Sequence, residues 1–161
     1  QQKDNLDLIY EDPHNFTLNS SSFKAGQRIA EMGACSNCHF YGEEKPKQDA
    51  LTWAPNLVLT KERLRPEWLV EWFINPQDVM PGTKMPAPYI PTEEPQNSIR
   101  EVWGSDVAQI SRDSTKLYKS LIDWMWGMEG RKDVSSIVKR HLNSQGYGFI
   151  IEEEDDWGDE W

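Results

Sequence analysis

Apolar residues recur in the first part of this chain at spacings of three and four. After Ser20-Ser21-Ser22, which offers an N-cap, Phe23, Gly26, Ile29, Ala30 and Gly33 share one face and predict a helix. A glycine at position 26 costs helix stability relative to alanine. It marks a place where another helix comes very close. A second helix is expected from Pro66, since proline suits the first helical position. Trp68, Leu69, Trp72 and Phe73 form its apolar stripe, and Asn75-Pro76 stops it. From Asp113, the residues Leu117, Leu121, Trp124 and Met128 fall at i, i+4, i+7 and i+11, a third helix closed by Gly127 and Gly130. Its bulky face is the natural partner of the Gly26 notch. Val134 to Leu142 predicts one more helix, with Val134, Ile137, Val138 and His141 on a side and its late cations suited to the helix dipole.

The stretches between carry other signals. Residues 1–19 mix acids, amides and a few apolar side chains and read as an extended arm. His14 lies there, as a surface histidine or, less simply, a metal ligand. Residues 40–52, with Gly42 and Pro46, read as a polar loop. Met80 to Pro88 is too rich in Pro and Gly for regular structure and reads as a fixed loop. Residues 87–112 look like a long excursion with a short helix near 97–103, and 146–151 is a short β-prone run. The pattern as a whole is all-α.

Composition sharpens this picture in three ways. At 161 residues the chain suffices for one domain with a real core. Its hydrophobic content is only 37%, low for a globular domain, and a large prosthetic group at the centre would make up part of the difference. Eight tryptophans suggest aromatic walls around something flat, or contacts with a partner. The net charge is −10, and seven of those charges belong to Glu152, Glu153, Glu154, Asp155, Asp156, Asp159 and Glu160. That balance argues against nucleic acid as a partner but leaves a basic protein surface open. The tail is either a solvated acidic end or, through Trp157 and Trp161, a docking peptide that orders on a partner. No apolar run of about twenty residues could span a bilayer. The chain starts at Gln1, so a processed product that has lost a leader is expected.

Both cysteines stand in one motif, Cys35-Ser36-Asn37-Cys38-His39. Two cysteines separated by two residues, with a histidine next, form the attachment signature of c-type haem. Each thiol can add to one porphyrin vinyl, and the following histidine is then carried under the iron. An axial histidine needs an acceptor for its other ring N–H, and Pro55 has a carbonyl to offer without an N–H of its own. A thioether opposite the histidine gives a six-coordinate electron-transfer iron; Met80 and Met85, in the rigid loop, are both candidates. A thioredoxin-like dithiol would be expected among alternating strands and helices. Structural zinc would need a fourth ligand beyond Cys35, Cys38 and His39.

The order of these features resembles the class I monohaem cytochromes c. The matching residues are Gly26, Cys35, Cys38, His39, Pro55-Asn56-Leu57, Pro66-Glu67-Trp68-Leu69, Pro81-Gly82-Thr83-Lys84-Met85-Pro86 and the helix around Leu117 to Trp124. The resemblance covers about residues 20–130. It implies a cytochrome c fold, with first and last helices crossing, and one covalent haem c on Cys35 and Cys38. His39 and Met85 are the implied axial ligands, with Met80 the runner-up, and Pro55 accepts from His39. It further implies that Trp68, Arg65 or Trp53 approaches the haem propionates. The division expected is an arm (1–19), a cytochrome domain (20–130) and an extension with the acidic tail (131–161), with 87–112 a further addition to the minimal fold.

The function implied is electron transfer, not enzymatic turnover. The chain would be a shuttle or a subunit docked to a larger respiratory or redox complex. Redox proteins, a membrane-bound complex among them, are the expected partners, and a periplasmic or otherwise extracytoplasmic place is implied because haem is attached outside the cytoplasm. The alternative is a haem enzyme or gas-binding sensor in which the methionine is displaceable.

Overall fold

The computed structural model describes residues 18–151. Most of the expected arm, with His14, and the acidic tail with Trp157 and Trp161 lie outside the described residues. Within them the chain is mostly helical and has no strand.

Helix α1 (Ser21–Met32) begins where Ser20 accepts a hydrogen bond from the Phe23 N–H, 3.1 Å away. It buries Ala25, Gly26, Ile29 and Ala30. The helix does not run straight into the cysteines. Gly33 caps it, and Ala34 takes a left-handed conformation (φ 52°) that no continuing helix allows. A 3₁₀ turn at Cys35–Asn37 follows.

Beyond the loop lie a 3₁₀ turn at Leu57–Leu59 and a single helical turn, α2 (Thr60–Arg63). Helix α3 (Pro66–Ile74) starts on Pro66 and buries Leu69, Val70 and Phe73. Asn75 ends it, but Pro76 also opens the next short turn, α4 (Pro76–Val79). Proline fills the same N-terminal position in both. Residues 80–95 have no helix or strand, as their Pro and Gly content demands.

The expected excursion at 87–112 is corrected by the structure. It holds the short helix expected near 97–103, α5 (Gln96–Trp103), and a second that was not expected, α6 (Ser105–Ile110), joined at Gly104 with φ 91°. They send Ile99, Trp103, Val107 and Ala108 into the same core as α1. Arg28 on α1 donates to the Val102 carbonyl (2.7 Å), and the Ser21 hydroxyl to Asp106 (2.5 Å). This segment is therefore a wall of the core, because its apolar residues have no other surface to cover.

Helix α7 (Ser114–Trp126) is capped by Asp113, which accepts from the Lys116 N–H. Its Leu117, Leu121 and Trp124 are buried, together with Ser120, Ile122 and Met125. It crosses α1 at Gly26. A Cβ on Gly26 would stand 1.8 Å from the Ser120 carbonyl oxygen and 2.9 Å from Trp124 Cβ. The Ser22 hydroxyl donates to Asp123 (2.6 Å), which also pairs with Lys119 (2.7 Å) and fixes the register.

Helix α8 (Ser135–Ser144) has no fully buried residue. The boundary expected at 130/131 falls in a packed joint: Gly130 lies against Gly42, and the Arg131 and Lys132 carbonyls are held by Asn56. The β-prone run at 146–151 forms no strand, since no neighbouring strand exists among the described residues to pair with it. It turns back instead onto the end of α8.

Candidate functional site

The left-handed Ala34 and the 3₁₀ turn set the cysteine motif. Cys38 and His39 both donate their backbone N–H to the Cys35 carbonyl, at 3.2 and 3.0 Å. Both thiols are free and half-buried. Burial pushes the Cys35 thiol up to about 11, with the nearby Cys38 adding to the rise against an opposing backbone hydrogen bond. Cys38 Sγ lies 3.7 Å from Gln48 Oε1.

A short parallel pairing then lays residues 38–40 beside 54–57. Ala54 N–H donates to the Cys38 carbonyl (2.7 Å) and Leu57 N–H to the Phe40 carbonyl (3.0 Å). This brings the His39 ring to Pro55, with Nδ1 2.8 Å from the proline carbonyl oxygen. A carbonyl only accepts, so Nδ1 carries the proton and the lone pair is on Nε2. Burial holds the imidazole pKa below its usual value, with the Pro55 hydrogen bond opposing. The ring is thus neutral at neutral pH, the form that binds a metal.

Asn56 locks this pairing in place. It is 5% exposed. Its Oδ1 accepts from the Gly42 and Val58 N–H groups, and its Nδ2 donates to the Arg131 and Lys132 carbonyls at 2.9 and 3.2 Å. One amide side chain therefore ties the motif loop, the turn after Pro55 and the start of the C-terminal segment.

The two methionine candidates sit differently. Met80 is 54% exposed. Met85 packs on the core cluster that Cys35, Trp68 and Trp72 also touch. Trp72 donates its indole N–H to the Met85 sulfur at 2.8 Å, and Thr83 Oγ1 accepts from the Met85 N–H. Trp72 in turn stacks on Trp68, with ring centres 5.0 Å apart and planes 16° apart.

Of the residues expected to approach propionates, Trp68 belongs to this stack and Arg65 is exposed at the start of α3. Trp53 gives its indole N–H to the Gln48 carbonyl (3.0 Å), and its ring lies between Phe40 and His141. Its one donor is therefore already engaged.

Sequence reasoning missed Gln48, the role of Trp72 and the approach of His141. Trp72 was findable, since it stands four residues after Trp68 on one helix face. Gln48 and His141 carried no signal, because their contacts depend on how the loop and α8 return. Among the described residues no three His, Cys, Asp or Glu side chains converge as a metal cluster, and no helix is long and apolar enough to cross a membrane. Comparison with known proteins gives no matching family model, no matching curated protein and no matching solved structure.

Proposed function

We propose that the chain carries one covalent haem c and transfers electrons. The observation that carries this reading is the His39–Pro55 hydrogen bond, which leaves Nε2 as the ligating nitrogen directly after two cysteines on one turn. The residues present fit the group. Cys35 and Cys38 would hold it by two thioether links, and His39 would bind its iron. Met85, half-buried and held by Trp72, would supply the second ligand in preference to exposed Met80. When bound, such a haem supplies reversible one-electron exchange.

The protein's own part is positional. Pro55 fixes the imidazole ring and its tautomer. Asn56 keeps Pro55 beside His39. Trp72 aims the Met85 sulfur, and the stacked Trp68 braces Trp72. With His39 and Met85 both from the chain holding the iron, the group would exchange electrons and no acid, base or nucleophile would be needed. A cytochrome c fold, with α1 crossing α7, would account for the Gly26 contact and for the placement of the motif. The chain acts on the extracytoplasmic side as a shuttle or as a subunit docked to a larger redox complex.

A dithiol redox role has less support, because a thiol pushed up to about 11 holds little thiolate at neutral pH.

Intact mass and spectrum test the reading together. Chain matured with a haem attachment system should gain the mass of one haem, and Cys35→Ser with Cys38→Ser should lose it. The ferric protein should show the sulfur-to-iron band of methionine ligation, absent in Met85→Leu and kept in Met80→Leu. No mass gain overturns the haem assignment. A high-spin spectrum that takes up carbon monoxide readily favours the gas-binding or enzymatic reading instead.

A further inference from the structure

The last turns after α8 are fixed in place, yet they show apolar side chains to water. Asn143 holds Phe149 from both sides: its Nδ2 donates to the Phe149 carbonyl (2.9 Å), and the Phe149 N–H donates to its Oδ1 (2.7 Å). Tyr147 N–H donates to the Leu142 carbonyl (3.2 Å), across a turn at Gly146 with φ 96°. The loop this makes leaves Tyr147 59%, Phe149 45% and Ile150 81% exposed. The Tyr147 and Phe149 rings stack on each other with centres 6.1 Å apart. Scattered exposed apolar residues are ordinary, but a contiguous set on a hydrogen-bonded backbone marks an interaction surface.

The flanking charge says what would cover it. Stretch 139–161 holds seven carboxylates against Lys139 and Arg140, a net charge of −5, and every carboxylate follows the patch. A nucleic acid or an anionic membrane would be repelled. We propose that Tyr147, Phe149 and Ile150 form a preformed docking epitope for a partner protein that offers an apolar groove edged by Lys and Arg. The apolar residues supply the affinity. The acidic residues steer the approach and set the choice of partner. Because Asn143 orders the loop beforehand, less conformational entropy is lost on binding. The surface is independent of the cofactor, so it stands or falls separately from the haem reading.

The test uses the full chain and two immobilised amphipathic helical peptides, one of Leu and Lys and one with Glu in place of every Lys. The chain should bind the Leu/Lys peptide and not the Leu/Glu peptide. A triple variant, Tyr147→Ser, Phe149→Ser and Ile150→Ser, keeps the charge and should bind at least about tenfold more weakly. Asn143→Ala keeps the three side chains but frees the loop, and should weaken binding by a smaller factor. Its helical circular dichroism should match the parent, which excludes misfolding. Equal binding by the triple variant would reduce the interaction to charge alone and overturn the epitope. Equal binding of the Leu/Glu peptide would overturn the partner's chemistry. Self-association in sedimentation, removed by the triple variant, would make the occupant a second copy and equally overturn it.

Discussion

Where α1 crosses α7, contact is made by taking side chains away. Gly26 lets its backbone rest on the Ser120 backbone, and Ala25, Ile29, Leu117 and Leu121 close in around them, each no more than 2% exposed. Around His39 the means are different. Few apolar groups are fully buried there beyond Phe40 and Val58, and position is set by named polar atoms: the Pro55 carbonyl, both ends of the Asn56 amide and the Gln48 carbonyl. The crossing is most sensitive to volume, with the Ser22–Asp123 hydrogen bond a lesser tie between the two helices. The motif face is sensitive to a lost donor or acceptor. The two regions should therefore fail by different routes.

The largest effect is expected at the crossing. Gly26→Ala puts a methyl group within 1.8 Å of the Ser120 carbonyl oxygen, and the obstacle is backbone, which cannot rotate away. Overpacking of this kind should lower stability by about 3 kcal/mol or more, read as a fall of roughly 10 °C in thermal melting. Gly148→Ala is the control, since nothing lies within 4 Å of its added Cβ. A Gly26→Ala melt indistinguishable from that control would mean that the two helices are not in backbone contact.

Asn56→Ala attacks the other region. It strands the buried Gly42 and Val58 N–H groups and releases the Arg131 and Lys132 carbonyls. Loss of a buried hydrogen-bonding group costs about 1–3 kcal/mol, and the upper part of that range is expected here. Hydrogen exchange should locate the damage. Amides of residues 40–44, 57–59 and 130–133 should lose protection while those of α1 keep theirs. Uniform loss across the chain would erase the distinction between the regions.

The same difference explains what could be read in the sequence. Volume patterns are local and periodic, so Ser20, Gly26, Trp68, Asp113 and Leu117 announced the helices, and Gly26 even announced its partner face. Within 87–112 the helix near 97–103 was legible, but α6 and the place of both helices in the core were not, because six to eight residues give too few repeats to separate a core wall from a loop. At the site, Cys35, Cys38, His39 and Pro55 were legible because their chemistry fixes their spacing. Asn56 appeared only as part of a three-residue match. Of its five hydrogen bonds only the one from the Val58 N–H is local; the other four reach across 14, 75 and 76 positions, and no local pattern encodes those. The run at 146–151 has strand propensity, but propensity without a neighbouring strand makes no sheet.

Trp72→Phe should have a smaller effect and sharpen the comparison, because Trp72 belongs to both regions. It packs on the core and also donates to the Met85 sulfur. Phenylalanine keeps the ring and loses the N–H, so stability should fall by only about 1 kcal/mol. The specific readout is oxidation. In the parent chain, peroxide should convert exposed Met80 to its sulfoxide well before Met85. In Trp72→Phe the two rates should draw together, as the Met85 thioether is no longer held. Unchanged selectivity would mean that packing alone protects Met85 and the hydrogen bond does not position it.

The smallest effect concerns pH, and it isolates the packed region. Tyr118 on α7 stacks on Phe73, and partial burial raises its phenol above the usual value near 10. Below pH 10 the phenol is neutral in both folded and unfolded chains, and the stability linked to it is fully present. As the pH rises past 10 the unfolded chain ionises first, so the native state loses stability until its own raised pKa is passed. Tyr118→Phe cannot ionise, and its denaturant midpoint should fall less between pH 8 and pH 10.5 than the parent's. Tyr41, raised chiefly by its own burial at the edge of the motif loop, leaves a residual slope in both proteins. Parallel slopes would place the Tyr118 hydroxyl in water and open the α3–α7 contact that the packed half of the molecule depends on.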